Sequence, residues 1–434
     1  MESAYSSERL QAAMRLGTSQ DLYYYSKETM HKQSIPTVVD TRFKQALNNL
    51  RQGSSTFIIS VDQGISDVLL AVKLPEAGGD ISYNGLALPK GWIYDAINRI
   101  SVRYSGSSQY FWLGSQVRIE NLREMPNPTC RDELFELGGA MMKAPADFTG
   151  DNLYAYAYIN LPHNSPNGSL EKPNPFPSEM LSAPIVVTVE LNSLPSIFSS
   201  ILSTGVAGAP QAFDEAFFQI KQVHANDRGD LMVASTDRAK AYSFPTKCFY
   251  QNQIDVPLTA TTAEQSIQLT GLRSGEVRSI IMWITKDSDT NPTPDNSGHF
   301  VKNFTNFVLP RDVQLLYNGT VYYDAPGPGA SQFWNLVSTE TPSKLESSVL
   351  SITNSLTNPA FVDTPASKSW IEIPFSQVYE QLSGSHMYVA GKQILNAVVN
   401  VNLKLPEAVA CTLHAVYAYN CVLMVNAGSV EYVF

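Results

Sequence analysis

Over most of the chain apolar and polar residues return again and again to strict alternation, the pattern of a backbone whose side chains point in turn to the two faces of a sheet. Phe57, Ile59 and Val61 alternate with Ile58 and Ser60, and Ile100, Val102 and Tyr104 with Ser101, Arg103 and Ser105. Ile185, Val187, Val189 and Leu191 skip Thr188 and Glu190. Ala397, Val399, Val401, Leu403 and Leu405 alternate with Val398, Asn400, Asn402 and Lys404, which predicts a strand with one core face and one wet or interface face. Cys411 to Val425 reads as one long strand carrying Cys411, Leu413, Ala415, Tyr417, Tyr419, Cys421, Leu423 and Val425 on a single face, after which Gly428 turns the chain into a terminal strand, Ser429 to Phe434. On such a strand Cys411 and Cys421 stand about 33 Å apart and cannot bridge each other.

Helical signals are few. Ser7 can cap a short helix with a stripe of Leu10, Ala13 and Met14, stopped by Gly17. About ten residues barely sustain a helix in water, so this one needs a surface to pack on. Residues 1–53 otherwise lack a clear period and are read as an N-terminal arm. Short helical turns are expected near Leu194 to Leu202 and Ser376 to Leu382. Two stretches rich in Pro and Asn, Lys143 to Pro184 and Lys286 to Gly298, read as long exposed loops. An all-β chain with long connections fits a sandwich or jelly roll better than a small barrel.

A weak repeat links the halves. Ile100-Ser101-Val102-Arg103-Tyr104-Ser105-Gly106 resembles Val313-Gln314-Leu315-Leu316-Tyr317-Asn318-Gly319, and each is followed by a Phe-Trp pair, Phe111-Trp112 and Phe333-Trp334. Val187 to Leu191, before one expected helical turn, parallels Ile371 to Phe375 before the other. Two matches in the same order suggest two copies of one sandwich, with the boundary between Asn226 and Lys240. The expected division is an arm at 1–53, a first unit at 54–232 and a second at 233–434.

Chemistry is hard to find. The chain has no HExxH, GxSxG or P-loop, and Gly327-Pro328-Gly329 reads as a plain loop. The six histidines, His31, His163, His224, His299, His386 and His414, lack metal-ligand spacing, and His414, in mid-strand, is read as structural or interfacial. Asp287, Asp289 and Asn291 imitate the start of a calcium loop, but Pro292 and Gly298 stand where Gly and Glu are needed. Hence no catalytic, cofactor or metal residue is assigned, and no enzyme is expected. Cys130, Cys248, Cys411 and Cys421 are too scattered for a disulfide framework. Met1 to Arg15 has no apolar core, so no secretory signal is expected, and the sequons at Asn167, Asn303 and Asn318 are read as unused. Leu191 to Phe213 and Ala408 to Val430 are free of charge, but Pro, Gly and Ser in the first and strand-like alternation in the second argue against membrane spans. A net charge of -10 without basic runs speaks against direct nucleic-acid binding. Charged residues make up only 16 % of the chain, below the quarter or so usual for soluble domains. A surface so poor in charge suits a chain that covers much of itself with partners, and Asn400, Asn402 and Thr412 are expected to face other subunits.

Taken together, these residues resemble the double jelly-roll major capsid proteins of double-stranded DNA viruses, a group that includes the adenovirus hexon and the capsid proteins of virophages, of Polinton-like (adintovirus-like) elements and of nucleocytoplasmic large DNA viruses. The resemblance is carried by Phe307 through Gly319, Tyr323-Asp324-Ala325-Pro326 and Phe333 to Val337, and by Tyr417-Ala418-Tyr419-Asn420 with Gly428 to Phe434. In the first half, Leu88-Pro89-Lys90-Gly91-Trp92 and Ile97 to Gly106 are similar too. The resemblance implies an all-β fold of two tandem eight-stranded jelly-roll sandwiches with a short N-terminal helical arm. It implies a protein of the virion that trimerises into pseudo-hexagonal capsomers tiling an icosahedral shell, made in the host cytoplasm and assembled there or in the nucleus. Implied partners are further copies of itself, minor capsid and penton proteins, and an inner membrane met through the arm. The two long loops would form the outward or inter-subunit crown. An assembly scaffold or minor capsid protein of the same fold, a carbohydrate-binding β-sandwich and an enzyme on a β-scaffold are the alternatives.

Overall fold

The computed structural model describes residues 17–18, 39–59, 64–107, 110–124, 137–142, 145–159, 176–177, 181–200, 208–224, 241–270, 274–286, 308–326, 371–375, 392–394 and 398–433, some single positions within these ranges excepted. The first half contributes β1 (Gly17–Thr18), β2 (Val39–Ala46), β3 (Gly53–Ile59), β4 (Gly64–Lys73), β5 (Leu86–Ala87), β6 (Ile97–Arg103), β7 (Tyr110–Leu113), β8 (Tyr154–Tyr158), β9 (Phe176–Pro177), β10 (Ile185–Leu191), β11 (Ser199–Ser200) and β12 (Glu215–His224). The second contributes β13 (Ala241–Tyr250), β14 (Ile254–Leu258), β15 (Glu264–Leu269), β16 (Gly275–Lys286), β17 (Asp312–Tyr317), β18 (Thr320–Pro326), β19 (Ile371–Pro374), β20 (Lys392–Ile394), β21 (Val399–Lys404), β22 (Cys411–Asn426) and β23 (Ser429–Val433). The architecture is all-β, as the alternation requires.

Two sheets build the first sandwich, β2-β12-β4-β8 with β9 beside β4, and β3-β10-β6-β7. Alternation decides which side chains meet between them. Phe57 and Ile59 of β3, Val187 and Val189 of β10, and Ile100 and Val102 of β6 are buried, as are Leu70 and Val72 of β4 and Phe218 and Ile220 of β12. Phe57 stacks on Phe218 from the opposite sheet, with ring centroids 4.0 Å apart. Each such buried ring stabilises the fold by roughly 1.5–3 kcal/mol through removal from water.

The second sandwich is organised by β22. Its sixteen residues extend for about 53 Å, long enough to serve two partners on each side. Along one side β14 pairs with Cys411 to Ala415 and β13 with Ala418 to Asn426. Along the other, β16 pairs with Cys411 to Tyr419 and β23 with Val422 to Asn426. The facing sheet runs β15-β21-β17-β18. Cys411 and Cys421 are both buried and unbridged.

Several expectations change here. The stretch Lys143 to Pro184, read as one loop, contains β8, which pairs with β4. Its sequence, Tyr-Ala-Tyr-Ala-Tyr, turns alanines inward and tyrosines outward, so the bulky residues mark the wrong face. The small side chains suit the short turn Ile93–Ala96 and the helix Gly114–Glu124, both of which pack on β8. That helix was not foreseen. Within the segment read as an arm, β1 pairs in parallel with β13, and β2 is an edge strand of the first sandwich beside β12. The first repeat holds in the topology: β6 and β17 each lie third in a four-stranded sheet, next to the strand that follows. The second does not, since β10 occupies the place of β21, whereas β19 lies in the other sheet beside β16. The helical turn near Leu194 is present as Leu194–Ile197. The Ser7 helix with its Leu10, Ala13 and Met14 stripe, the turn near Ser376, the Phe333-Trp334 pair and the loop 287–298 lie outside the described residues.

Candidate assembly surfaces

Where the sequence assigns no catalytic residue, the candidate site is the set of faces and edges that two sandwiches expose. One pair of edges is consumed within the chain. The helix Gly114–Glu124 follows β7 at the edge of the first sandwich and meets the second sandwich at the link between β13 and β14. Ser115 Oγ donates to Gln253 Oε1 at 2.9 Å, Gln253 N donates to Gln116 Oε1 at 3.1 Å, and Gln116 Nε2 donates to Glu120 Oε1 at 2.6 Å and to the Gln251 carbonyl at 3.2 Å. Gln116, Val117, Arg118, Ile119, Glu120 and Asn121 are all buried. Burial, through desolvation, lowers Arg118 to about 10, against the opposing pull of Asp95 and Tyr94. It also lifts the Tyr94 phenol to about 12.

A second clasp lies farther along the seam. Val430 N donates to the Ser105 carbonyl at 2.7 Å and Ser182 N to the Gly428 carbonyl at 2.8 Å. The Tyr432 ring then packs edge-on against Tyr110, with centroids 4.5 Å apart, and against Tyr104 at 6.4 Å. The terminal hairpin of the second half is thereby bonded to the first.

His414 is held at both ring nitrogens, and among the described residues it belongs to no group of three or more His, Cys, Asp or Glu side chains that could hold a metal ion. Its Nδ1 lies 2.7 Å from Asp255 Oδ1 and its Nε2 2.7 Å from Thr285 Oγ1, while the ring stacks on Trp283. Gln253 Nε2 donates to the same Asp255 oxygen at 2.6 Å, so the cluster is wired through Gln253 to Ser115 and Gln116. Burial alone would raise the Asp255 carboxyl, but hydrogen bonds from His414 and Gln253 together with the nearby His414 charge outweigh it and hold the group below its usual value. A carboxyl depressed in the folded state adds stability above its unfolded pKa of about 3.9 and loses it as pH falls through the lower folded value. The urea midpoint of the wild type should therefore drop on acidification below about pH 4, and Asp255→Asn should flatten that part of the profile; an unchanged acid limb would contradict this role.

The outward face of β15-β21-β17-β18 carries the residues expected at an interface. Asn400 and Asn402 are half-buried there, and Thr412, on β22 of the other sheet, is half-buried as well. Ser266 Oγ donates to Asn402 Oδ1 at 2.8 Å, Asn402 Nδ2 to Gln314 Oε1 at 2.9 Å, and Gln314 Nε2 to Asp324 Oδ2 at 3.0 Å. The result is a ladder of short polar side chains across all four strands. Charge gathers in the neighbouring row of Glu264, Lys404 and Asp312, whereas the row beyond the ladder holds Gln268, Asn400 and Leu316. On the first sandwich, the outward face of β3-β10-β6 carries Thr56 bonded to Thr188, the pair Arg99 and Glu190, and a row of Ile58, Val186 and Arg103. Among the described residues no helix is long and apolar enough to cross a membrane, and most of the uncharged run Ala408 to Val430 is the strand β22.

No family model matches the chain, and no curated protein matches it in sequence. Its structure, however, is similar to solved structures over nearly its whole length. A chain of the PBCV-1 virus capsid matches with a TM-score of 0.60 at 10 % identity, over 93 % of this chain and 98 % of that one. A chain of the Sputnik virophage matches with a TM-score of 0.53 at 11 % identity, over 92 % and 90 %. The mavirus major capsid protein matches with a TM-score of 0.50 at 13 % identity, over 94 % of each chain. The fold is therefore the double jelly roll of these capsid proteins.

Proposed function

We propose that this chain is a major capsid protein that associates as a homotrimer into pseudo-hexagonal capsomers, which tile an icosahedral virus shell. One observation carries the reading: the two-sandwich fold is shared over more than nine-tenths of the chain with the PBCV-1 capsid. Physical support comes from the low share of charged residues, 16 % of the chain, and from the outward sheet of the second sandwich, where a ladder of Ser266, Asn402 and Gln314 ends in one carboxylate, Asp324. Three chains would place six sandwiches around one axis. We further assign 54–232 to the first jelly roll, with β2 added at its edge, and 233–434 to the second. The protein's work is assembly rather than catalysis, its place the virion, and its partners are further copies, penton and minor capsid proteins, with the N-terminal arm turned to neighbouring capsomers or to an inner membrane.

Light scattering of the purified protein tests this most directly. A mass three times 47.8 kDa, with hexagonal outlines in electron micrographs, is the expected result, and a monomer at micromolar concentration would refute it.

A further inference from the structure

The chain carries the same tripeptide, Tyr-Asn-Gly, on two turns, and the structure holds the two copies differently. They are Tyr83-Asn84-Gly85 and Tyr317-Asn318-Gly319; a third Asn-Gly pair, Asn167-Gly168, lies outside the described residues. In such a pair the backbone nitrogen that follows the asparagine can attack the side-chain amide with little hindrance, since glycine has no Cβ. Asn84 and Asn318 are both exposed, so access does not separate them. Asn318 and Gly319 form the two-residue turn between β17 and β18, with φ at +49° and +79°. The Asn318 carboxamide is pinned there, because its Oδ1 accepts a bond from Val398 N at 3.0 Å while Asn318 N donates to the Val398 carbonyl at 2.9 Å. Asn84 lies in a turn closed by Leu86 N donating to the Tyr83 carbonyl at 3.1 Å, with Gly85 at φ +72°. Its backbone N donates to Ser82 Oγ at 3.3 Å, but among the described residues its carboxamide has no hydrogen-bond partner and can turn toward Gly85 N without breaking a bond.

We propose that Asn84 is a site of covalent modification, converted without an enzyme to aspartate and isoaspartate, and that Asn318 is spared by its bond to Val398. Gly85 N attacks Asn84 Cγ; the new N–Cγ bond forms as the Cγ–Nδ2 bond breaks, and the proton lost from Gly85 N leaves with the amide as ammonia. Water then opens the resulting succinimide at either carbonyl. The balance is one water taken up and one ammonia released, with no oxidant, reductant or cofactor. What flanks the turn gives the change its consequence. Tyr83 and Leu86 are buried, and Tyr83 stacks on Phe148 with ring centroids 4.0 Å apart. Isoaspartate runs the main chain through its side-chain carbonyl and lengthens the turn by one carbon. That pulls Leu86 N from the Tyr83 carbonyl and loosens β5 where it pairs with β11. The assignment is independent of the capsomer reading.

Peptide mapping by mass spectrometry, on the full chain aged in mildly alkaline buffer, tests the assignment. The peptide holding Asn84 should become about 1 Da heavier and separate into two forms, one of which accepts a labelled methyl group from S-adenosylmethionine in the presence of isoaspartyl methyltransferase. Asn84 is expected to convert about fivefold faster than Asn318, the worth of one ordinary hydrogen bond. Because the two tripeptides are identical, that difference should vanish when the chain is aged in urea. Asn318 converting as fast as Asn84 in the folded protein, or a difference of the same size in urea, would overturn the proposal.

Discussion

Replacing Gly114 by alanine is expected to cost at least about 3 kcal/mol of folding stability. A Cβ at this position would stand 2.0 Å from the carbonyl oxygen of Tyr94 and 2.5 Å from that of Ile97, and both are backbone atoms that cannot swing aside. Gly114 starts the helix Gly114–Glu124, so the only relief is to lift that helix from the turn Ile93–Ala96. Lifting it withdraws Ser115 and Gln116 from Gln253 and Gln251 and opens a seam in which Gln116 and Glu120 are buried. Opening the seam therefore adds the cost of exposing a polar network that no longer has its partners. Differential scanning calorimetry should show a fall of roughly 6–12 °C, at about 2–4 °C per kcal/mol for domains of this size. Ser115→Ala, which removes one hydrogen bond, should shift the transition by a small fraction of that. Equal shifts for the two variants would mean that the backbone approach at Gly114 is unimportant.

The second large effect is expected at Gly428, and it should appear as a change in cooperativity as well as in midpoint. With φ at +78° this residue occupies a region that a β-branched side chain adopts only under strain. An added Cβ would also lie 2.9 Å from both Cβ and N of Ser182. Gly428→Val should therefore break the bond from Ser182 N to the Gly428 carbonyl and pull β23 from Ser105, Tyr104 and Tyr110. A cost of roughly 2–4 kcal/mol follows from backbone strain and lost contacts. Since β23 is the clasp of the seam, the two sandwiches should begin to melt separately, and one urea transition should become two when followed by tryptophan fluorescence and circular dichroism together. A single transition with an unchanged midpoint would show that the helix at the other end of the seam holds the halves unaided.

Much of this molecule could be read from residue order because its dominant signal is local. Period two assigns the residues of β3, β10 and β21 to their faces, and the buried residues of those strands fall where alternation puts them, whereas in β6 Ser101 and in β22 Val416 and Ala418 are buried on the other face as well. The same rule fails where the inward side chain is small, as in β8, since Ala155 and Ala157 leave the tyrosines to set the apparent pattern. It fails again for the helix Gly114–Glu124, whose central residues are buried whatever their polarity. A helix with no apolar stripe carries no periodic trace of its environment, and its partners, Gln251 and Gln253, are more than 130 residues away along the chain. His414 was recognisable as a mid-strand histidine, but its link to Asp255 and Thr285 depends on the register of three strands.

Sequence by itself determined the all-β class and the two faces of most strands, because each of these depends on residues one or two positions apart, and it signalled the duplication through the likeness of β6 to β17. Only the tertiary structure decided which edges meet in the seam and which correspondence between the halves is topologically real. Those are relations between distant segments, settled by strand register and by the closing of two sandwiches on each other, and alternation is the same whichever edge a strand occupies.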